Sequence, residues 1–313
     1  MGATSDWTTI GWQRVKLQVP PEWVLAGIGG DAEQGYLRLD GSQGPRVEVK
    51  WFDASKRKSI DLNATLERYF RDLRKLARKQ KLNLEIEREV KLVSKREKGR
   101  RDLECFAWRA DRQAYGVIWY CPKCARVTIA QVTGGLREKG FRQLARQVLL
   151  SLEDHSSGGW DVWGAYDFLC EVPSDFSLKG QQLMTGLLQL SFERGCSTLT
   201  FSRYGLAEVV LKEEPLEEWC RYQQRKTWDA FRLEAEETEE HGHLAVTFRG
   251  PKRKLRERLR RAVRKGLGKP YPFILEARVW HCPPTNKIFI VEQVRDEAEE
   301  SLLDVLCARV VCH

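Results

Sequence analysis

The sequence predicts an α+β fold: two tandem copies of an antiparallel sheet flanked by helices, an α/β/α sandwich, over residues 1–154 and 155–313. Three observations predict it. An opening motif occurs twice, an apolar hairpin occurs twice, and strands arrive in adjacent runs instead of alternating singly with helices. The 313 residues allow each half to bury its own core. A hydrophobic content of 42% with 11 tryptophans excludes a disordered chain.

The opening motif is Val19-Pro20-Pro21-Glu22-Trp23-Val24-Leu25 in the first half and Val172-Pro173-Ser174-Asp175-Phe176-Ser177-Leu178 in the second. Gly35–Leu39 then matches Gly186–Leu190, and Arg46–Trp51 matches Thr198–Tyr204. Alternation of apolar and polar residues from Arg46 to Lys50 is that of a half-buried strand. Leu66–Arg71 aligns with Leu216–Arg221, and Leu62, Leu66, Tyr69, Phe70, Leu73, Leu76 and Ala77 form one helical stripe. Val117–Pro122 answers Arg278–Pro283, and Val127–Val132 answers Ile288–Val294, each pair a hairpin about a proline-containing turn. Closing helices are expected around Phe141–Leu152 and Glu299–Val311. The polar, Gly/Ser-rich stretch Asp154-His155-Ser156-Ser157-Gly158-Gly159 is expected to be the linker.

This order of elements, with its Val-Pro-x-acid-aromatic opening, resembles the Mog1/PsbP-like α/β/α sandwich family. The resemblance implies a non-catalytic binding module, since family members act on a small GTPase or on photosystem II. It brings no functional residue with it, and the tandem arrangement departs from the single-copy members.

The formal net charge is +9, and its distribution is informative. Between Pro251 and Pro270 lie Lys252, Arg253, Lys254, Arg256, Arg258, Arg260, Arg261, Arg264, Lys265 and Lys269, against the single acid Glu257. The stretch sits where the first half has a short turn, so it reads as an inserted basic helix over 251–270. Leu255, Leu259, Ala262 and Val263 have the spacing of an amphipathic stripe that would anchor it. Pro251 suits a helix start, and Gly266 or Gly268 a stop. Lys252, Arg253, Arg256, Arg260, Arg261, Arg264 and Lys265 are the candidate partner-binding residues. Like charges this dense repel one another unless something offsets them, either the acidic run Glu234–Glu240 or an anionic partner, an acidic protein or nucleic acid. Membrane-surface attachment is disfavoured, because the stripe lacks the Trp or Phe of interfacial helices.

Catalytic and metal signatures are weak. Cys121-Pro122-Lys123-Cys124 has the spacing of half a zinc site, but no second such pair follows, and the aligned Cys282-Pro283-Pro284-Thr285 lacks the second cysteine. Glu240-His241-Gly242-His243 reads as a solvated turn, and Gly134-Gly135 lacks the Gly-Lys-Ser/Thr of a phosphate loop. No catalytic residue, cofactor or metal is therefore expected. The repeated tryptophans read as core. Nine scattered cysteines without an apparent secretory leader suggest reduced thiols and a cytoplasmic location. The expectation is a non-enzymatic binding or adaptor protein; the alternative is an enzyme or small-ligand-binding protein with a site in the groove between the halves.

Overall fold

The computed structural model describes residues 7–56, 59–99, 102–156, 158–253, 255–267 and 269–313, apart from the side chains of Lys98, Leu255, Arg256 and Arg258. The chain divides into two compact units, Met1–Asp167 and Phe168–His313.

The first unit runs β1 (Thr8–Trp12), β2 (Val15–Val19), β3 (Val24–Gly30), β4 (Gln34–Gly41), β5 (Gly44–Asp53), α1 (Leu62–Lys79), β6 (Glu85–Arg88) and α2 (Lys95–Lys98). It continues through β7 (Leu103–Arg109), β8 (Arg112–Cys121), β9 (Arg126–Gly135), α3 (Phe141–Ser151) and β10 (Trp160–Ala165). Seven of these strands form an antiparallel sheet in the order β3-β4-β5-β9-β8-β7-β6. β1 pairs on one side with β2 and on the other with β10.

The second unit runs β11 (Phe168–Pro173), β12 (Ser177–Met184), β13 (Leu187–Arg194), β14 (Ser197–Gly205), α4 (Ala207–Leu211), α5 (Leu216–Gln223) and α6 (Arg225–Trp228). Then come β15 (Glu234–Glu240), β16 (His243–Pro251), α7 (Leu255–Gly266), β17 (Ile274–Cys282), a 3-10 turn (Pro283–Thr285), β18 (Lys287–Arg295), α8 (Leu303–Cys307) and β19 (Val310–Val311). Its large sheet has the order β12-β13-β14-β18-β17-β16-β15, and β11 pairs with β19. The two large sheets thus share one strand order.

The expected α+β sandwich of two copies flanked by helices is not what forms. Among the described residues 48% lie in strands and 22% in helices, so the fold is sheet-rich. The closing helix expected at Glu299–Val311 shrinks to α8, because Val310 and Val311 extend as a strand and pair with Cys170 and Leu169. Several strands also carry sequences that do not announce themselves. β15, Glu-Ala-Glu-Glu-Thr-Glu-Glu, is an edge strand paired, among the described residues, only with β16, and charge on an edge is how sheets discourage further pairing.

Apolar patterning works in most of α1 as expected, although Leu76 is exposed. In α1, Leu66, Phe70 and Ala77 are buried, and Leu66 and Phe70 pack with Phe106, Ile118 and Val127 of the sheet. Asp61 caps this helix by accepting from the Ala64 N–H at 2.9 Å. In the second unit Trp219, Trp228 and Phe248 cover Leu275, Val279 and Ile290. Trp12, Trp23, Trp51, Trp119, Trp163, Trp219 and Trp280 are all buried, so these rings pack the core. Among the described residues no helix is long and apolar enough to cross a membrane.

Candidate functional site

Leu255–Gly266 of the basic stretch form a helix, α7, whereas Pro251, the expected helix start, ends β16 and pairs with Ile274; the helix docks by a face other than the one the apolar spacing predicted. Leu259 and Val263 are 61% and 65% exposed, and Leu267 just beyond the helix is exposed as well. Glu257 and Arg261, one turn apart on the opposite side, face the unit instead. Glu257 accepts a hydrogen bond from the Tyr271 hydroxyl and lies 3.9 Å from the Lys252 ammonium. Arg261 stacks its guanidinium 4.6 Å from the centre of the Phe273 ring and pairs with Glu297. Lys252 lies 4.7 Å from the centre of the Tyr271 ring. The physical reason is competition: ring-face contacts and ion pairs hold the charged edge, so the aliphatic row is left outward. A cleft of about 480 Å³ beside this edge is lined by Arg261, Lys265, Lys269, Asp296, Glu297 and Glu299, with both signs of charge.

The candidate residues separate accordingly. Arg253, Arg260, Arg264 and Lys265 are exposed, whereas Lys252 and Arg261 are part-buried against aromatic rings. The side chains of Arg256 and Leu255, and all of Lys254 and Gly268, lie outside the described residues. Of the acidic run that sequence offered as an internal counter-charge, Glu240 is engaged elsewhere, while Glu234, Glu236, Glu237 and Glu239 are exposed. Glu240 receives Arg278 Nη1 at 2.7 Å, and Arg278 Nη2 reaches Asp304 at 2.7 Å. Among the described residues, the ion pairs of α7 join its Glu257 to Lys252 and Arg260, and its Arg261 to Glu297.

No protein-family model matches the chain, and no curated protein matches it. The resemblance to the Mog1/PsbP-like family is therefore not supported. Among solved structures the chain is similar to the apo immunity protein TplEi of the T6SS from Pseudomonas aeruginosa, at 9% identity over 98% of this chain and 97% of that one, with a TM-score of 0.32. It is also similar to a chain of the Tle4–Tli4 complex, at 9% identity over 96% and 89% of the two chains, with a TM-score of 0.30. At those TM-scores the likeness carries no argument about activity or partner.

The weaker sequence motifs resolve into three arrangements. Gly135 donates its N–H to Glu138 Oε2 at 3.1 Å, and Arg46 grips the same carboxylate, so an internal anion already occupies the Gly134-Gly135 turn. Cys121 and Cys124 are joined by Asp154 and His155, the first two residues of the expected linker: Asp154 is fully buried and His155 is part-buried, whereas Gly158 and Gly159 are exposed. His243 is joined by Cys282, Cys312 and His313. Sequence reasoning missed Asp154, His155, Cys312 and His313 as partners, because each follows the last helix of its half and meets the hairpin only in space. All nine cysteines are free thiols. Burial, then Asp154 and Cys121, pushes the Cys124 thiol up to about 12. Burial, then Cys282, pushes Cys312 up to about 11.

Proposed function

We propose that the protein is a binding protein that docks an acidic protein partner on α7. The row Leu259, Val263 and Leu267, exposed beside Arg260 and Arg264 on a helix held by its other edge, carries this reading. Covering that row would contribute about 1–2 kcal/mol per side chain, since each still exposes most of its surface. Exposed arginines and lysines add steering and register more than affinity. A nucleic-acid backbone offers the charge but no apolar counterpart for the row. A membrane offers both, yet the aromatic residues nearest the helix, Tyr271 and Phe273, are buried and cannot reach an interface. An acidic surface with an apolar seam fits both features.

The test is fluorescence anisotropy with three probes: an acidic amphipathic peptide carrying Leu at i, i+4 and i+7, duplex DNA, and anionic phosphatidylserine vesicles. The peptide should bind most tightly at about 150 mM salt. Leu259→Ser with Val263→Ser should weaken it at least about tenfold, a loss of about 1.4 kcal/mol or more. Preference for DNA or vesicles, or indifference to the two serines, would sink the reading.

A further inference from the structure

We infer that each unit carries a tetrahedral zinc site, built where the hairpin after its Trp-x-Cys-Pro strand meets the residues following its last helix, with His243 at the start of β16 added in the second unit. In the first unit the ligands are Cys121, Cys124, Asp154 and His155. In the second they are Cys282, Cys312, His243 and His313. Within each group all four ligand atoms lie within 4.8 Å of one another.

The second unit has the more familiar donor set, two thiols and two imidazoles. His313 Nδ1 faces all three of the others: Cys282 Sγ at 3.6 Å, Cys312 Sγ at 3.0 Å and His243 Nε2 at 3.5 Å. Zinc bonds of about 2.3 Å to sulfur and about 2.0–2.1 Å to nitrogen, set tetrahedrally, require edges of roughly 3.3–3.8 Å. Two of the three distances fall in that span, and the third needs a shift of about half an ångström to reach it. Two thiolates would neutralise the ion.

The first unit repeats the plan with one substitution. His155 Nδ1 lies 3.5 Å from Cys121 Sγ and 2.8 Å from Asp154 Oδ1. Trp119 Nε1 donates to Asp154 Oδ2 at 2.7 Å, fixing the carboxylate while its other oxygen faces the histidine. Two thiolates and a carboxylate would exceed the ion's charge by one. Arg126, only 2% exposed, lies beside them with Nη1 3.4 Å from the Asp154 carbonyl oxygen, and its guanidinium supplies the missing positive charge.

The two sites occupy the same place in two sheets of the same strand order. Cys121 pairs with Arg126 across the β8–β9 turn, and Cys282 pairs with Lys287 across the β17–β18 turn. One such cluster could be accidental packing of thiols. Two clusters from different residues, each completing four ligands of kinds that zinc accepts beside the same hairpin, point to a shared ligand. Binding would release the thiol protons to solvent as the thiolates coordinate.

The test uses the full chain purified without chelator or added metal, with zinc measured by elemental analysis. About two zinc ions per chain are expected, falling to about one in Cys121→Ser/Cys124→Ser and about one in Cys282→Ser/Cys312→Ser. Because these variants can misfold, wild-type protein stripped with chelator and kept reduced is also titrated with cobalt, which should give the visible bands of tetrahedral, thiolate-bound metal. A zinc-reconstituted chain holding less than about one ion per ten chains would overturn the proposal. So would a cobalt titration without thiolate bands, or a Cys121–Cys124 or Cys282–Cys312 disulfide in the purified protein. One ion rather than two overturns it for the unit whose cysteines prove dispensable.

Discussion

Arg46 is buried beneath the Trp23 ring, 4.7 Å from its centre, and its Nη1 donates to Glu138 Oε2 at 2.8 Å while Nη2 reaches Oε1. The pair ties β5 to the turn between β9 and α3. Hydrogen bonding from Arg46, then from the Gly135 N–H, holds the Glu138 carboxyl below its ordinary value of 4.5. A depressed carboxyl contributes stability that is full above the unfolded value and is lost as pH falls through the folded one. Glu138→Gln should therefore cost about 1–2 kcal/mol near pH 7 and distinctly less near pH 3. Denaturant midpoints at the two pH values check it, and an equal cost at both would contradict the assignment.

At the scale of elements, α1 and α7 behave oppositely. α1 turns most of its expected stripe inward, with Leu66, Phe70 and Ala77 buried although Leu76 is exposed, and Asp61 caps it. Asp61→Ala should lower stability by about 1 kcal/mol, read from urea unfolding, and no change would mean that the cap is idle. α7 inverts its expected face. Leu259→Ser with Val263→Ser should shift stability by less than about 0.5 kcal/mol, because both side chains are exposed. Arg261→Ala should loosen the helix, since it removes the Phe273 stacking and the Glu297 pair, and amide exchange over Leu255–Gly266 should quicken. A large loss in the serine variant with none in Arg261→Ala would restore the apolar anchoring. These cases show what the sequence holds and what it hides. Hairpins such as β8–β9 were legible, because buried apolar runs about a proline turn have few alternatives. β15 was not, because an exposed edge strand needs no apolar residues to pair. The outward row of α7 was not, because spacing identifies a stripe but not which edge wins the contest for the parent surface.

At the scale of the whole molecule, legibility falls with sequence separation. Cys121 and Cys124 were visible as a spacing, yet Asp154 and His155 lie far along the chain and read as a polar linker until the fold buries Asp154 and part-buries His155. The net charge of +9 was legible outright, and so was its concentration around α7. The binding account turns on whether that charge and the aliphatic row act together on one partner. The most direct measurement is the affinity of the acidic amphipathic peptide at salt concentrations from about 50 to 300 mM, for the wild type and for Arg260→Glu with Arg264→Glu. The wild type should bind with an affinity that declines steadily as salt rises. The variant should melt within about 1 °C of the wild type, because exposed charges contribute little, yet bind at least about tenfold more weakly with a flattened salt dependence. Unchanged affinity and unchanged salt dependence in a folded variant would contradict the account.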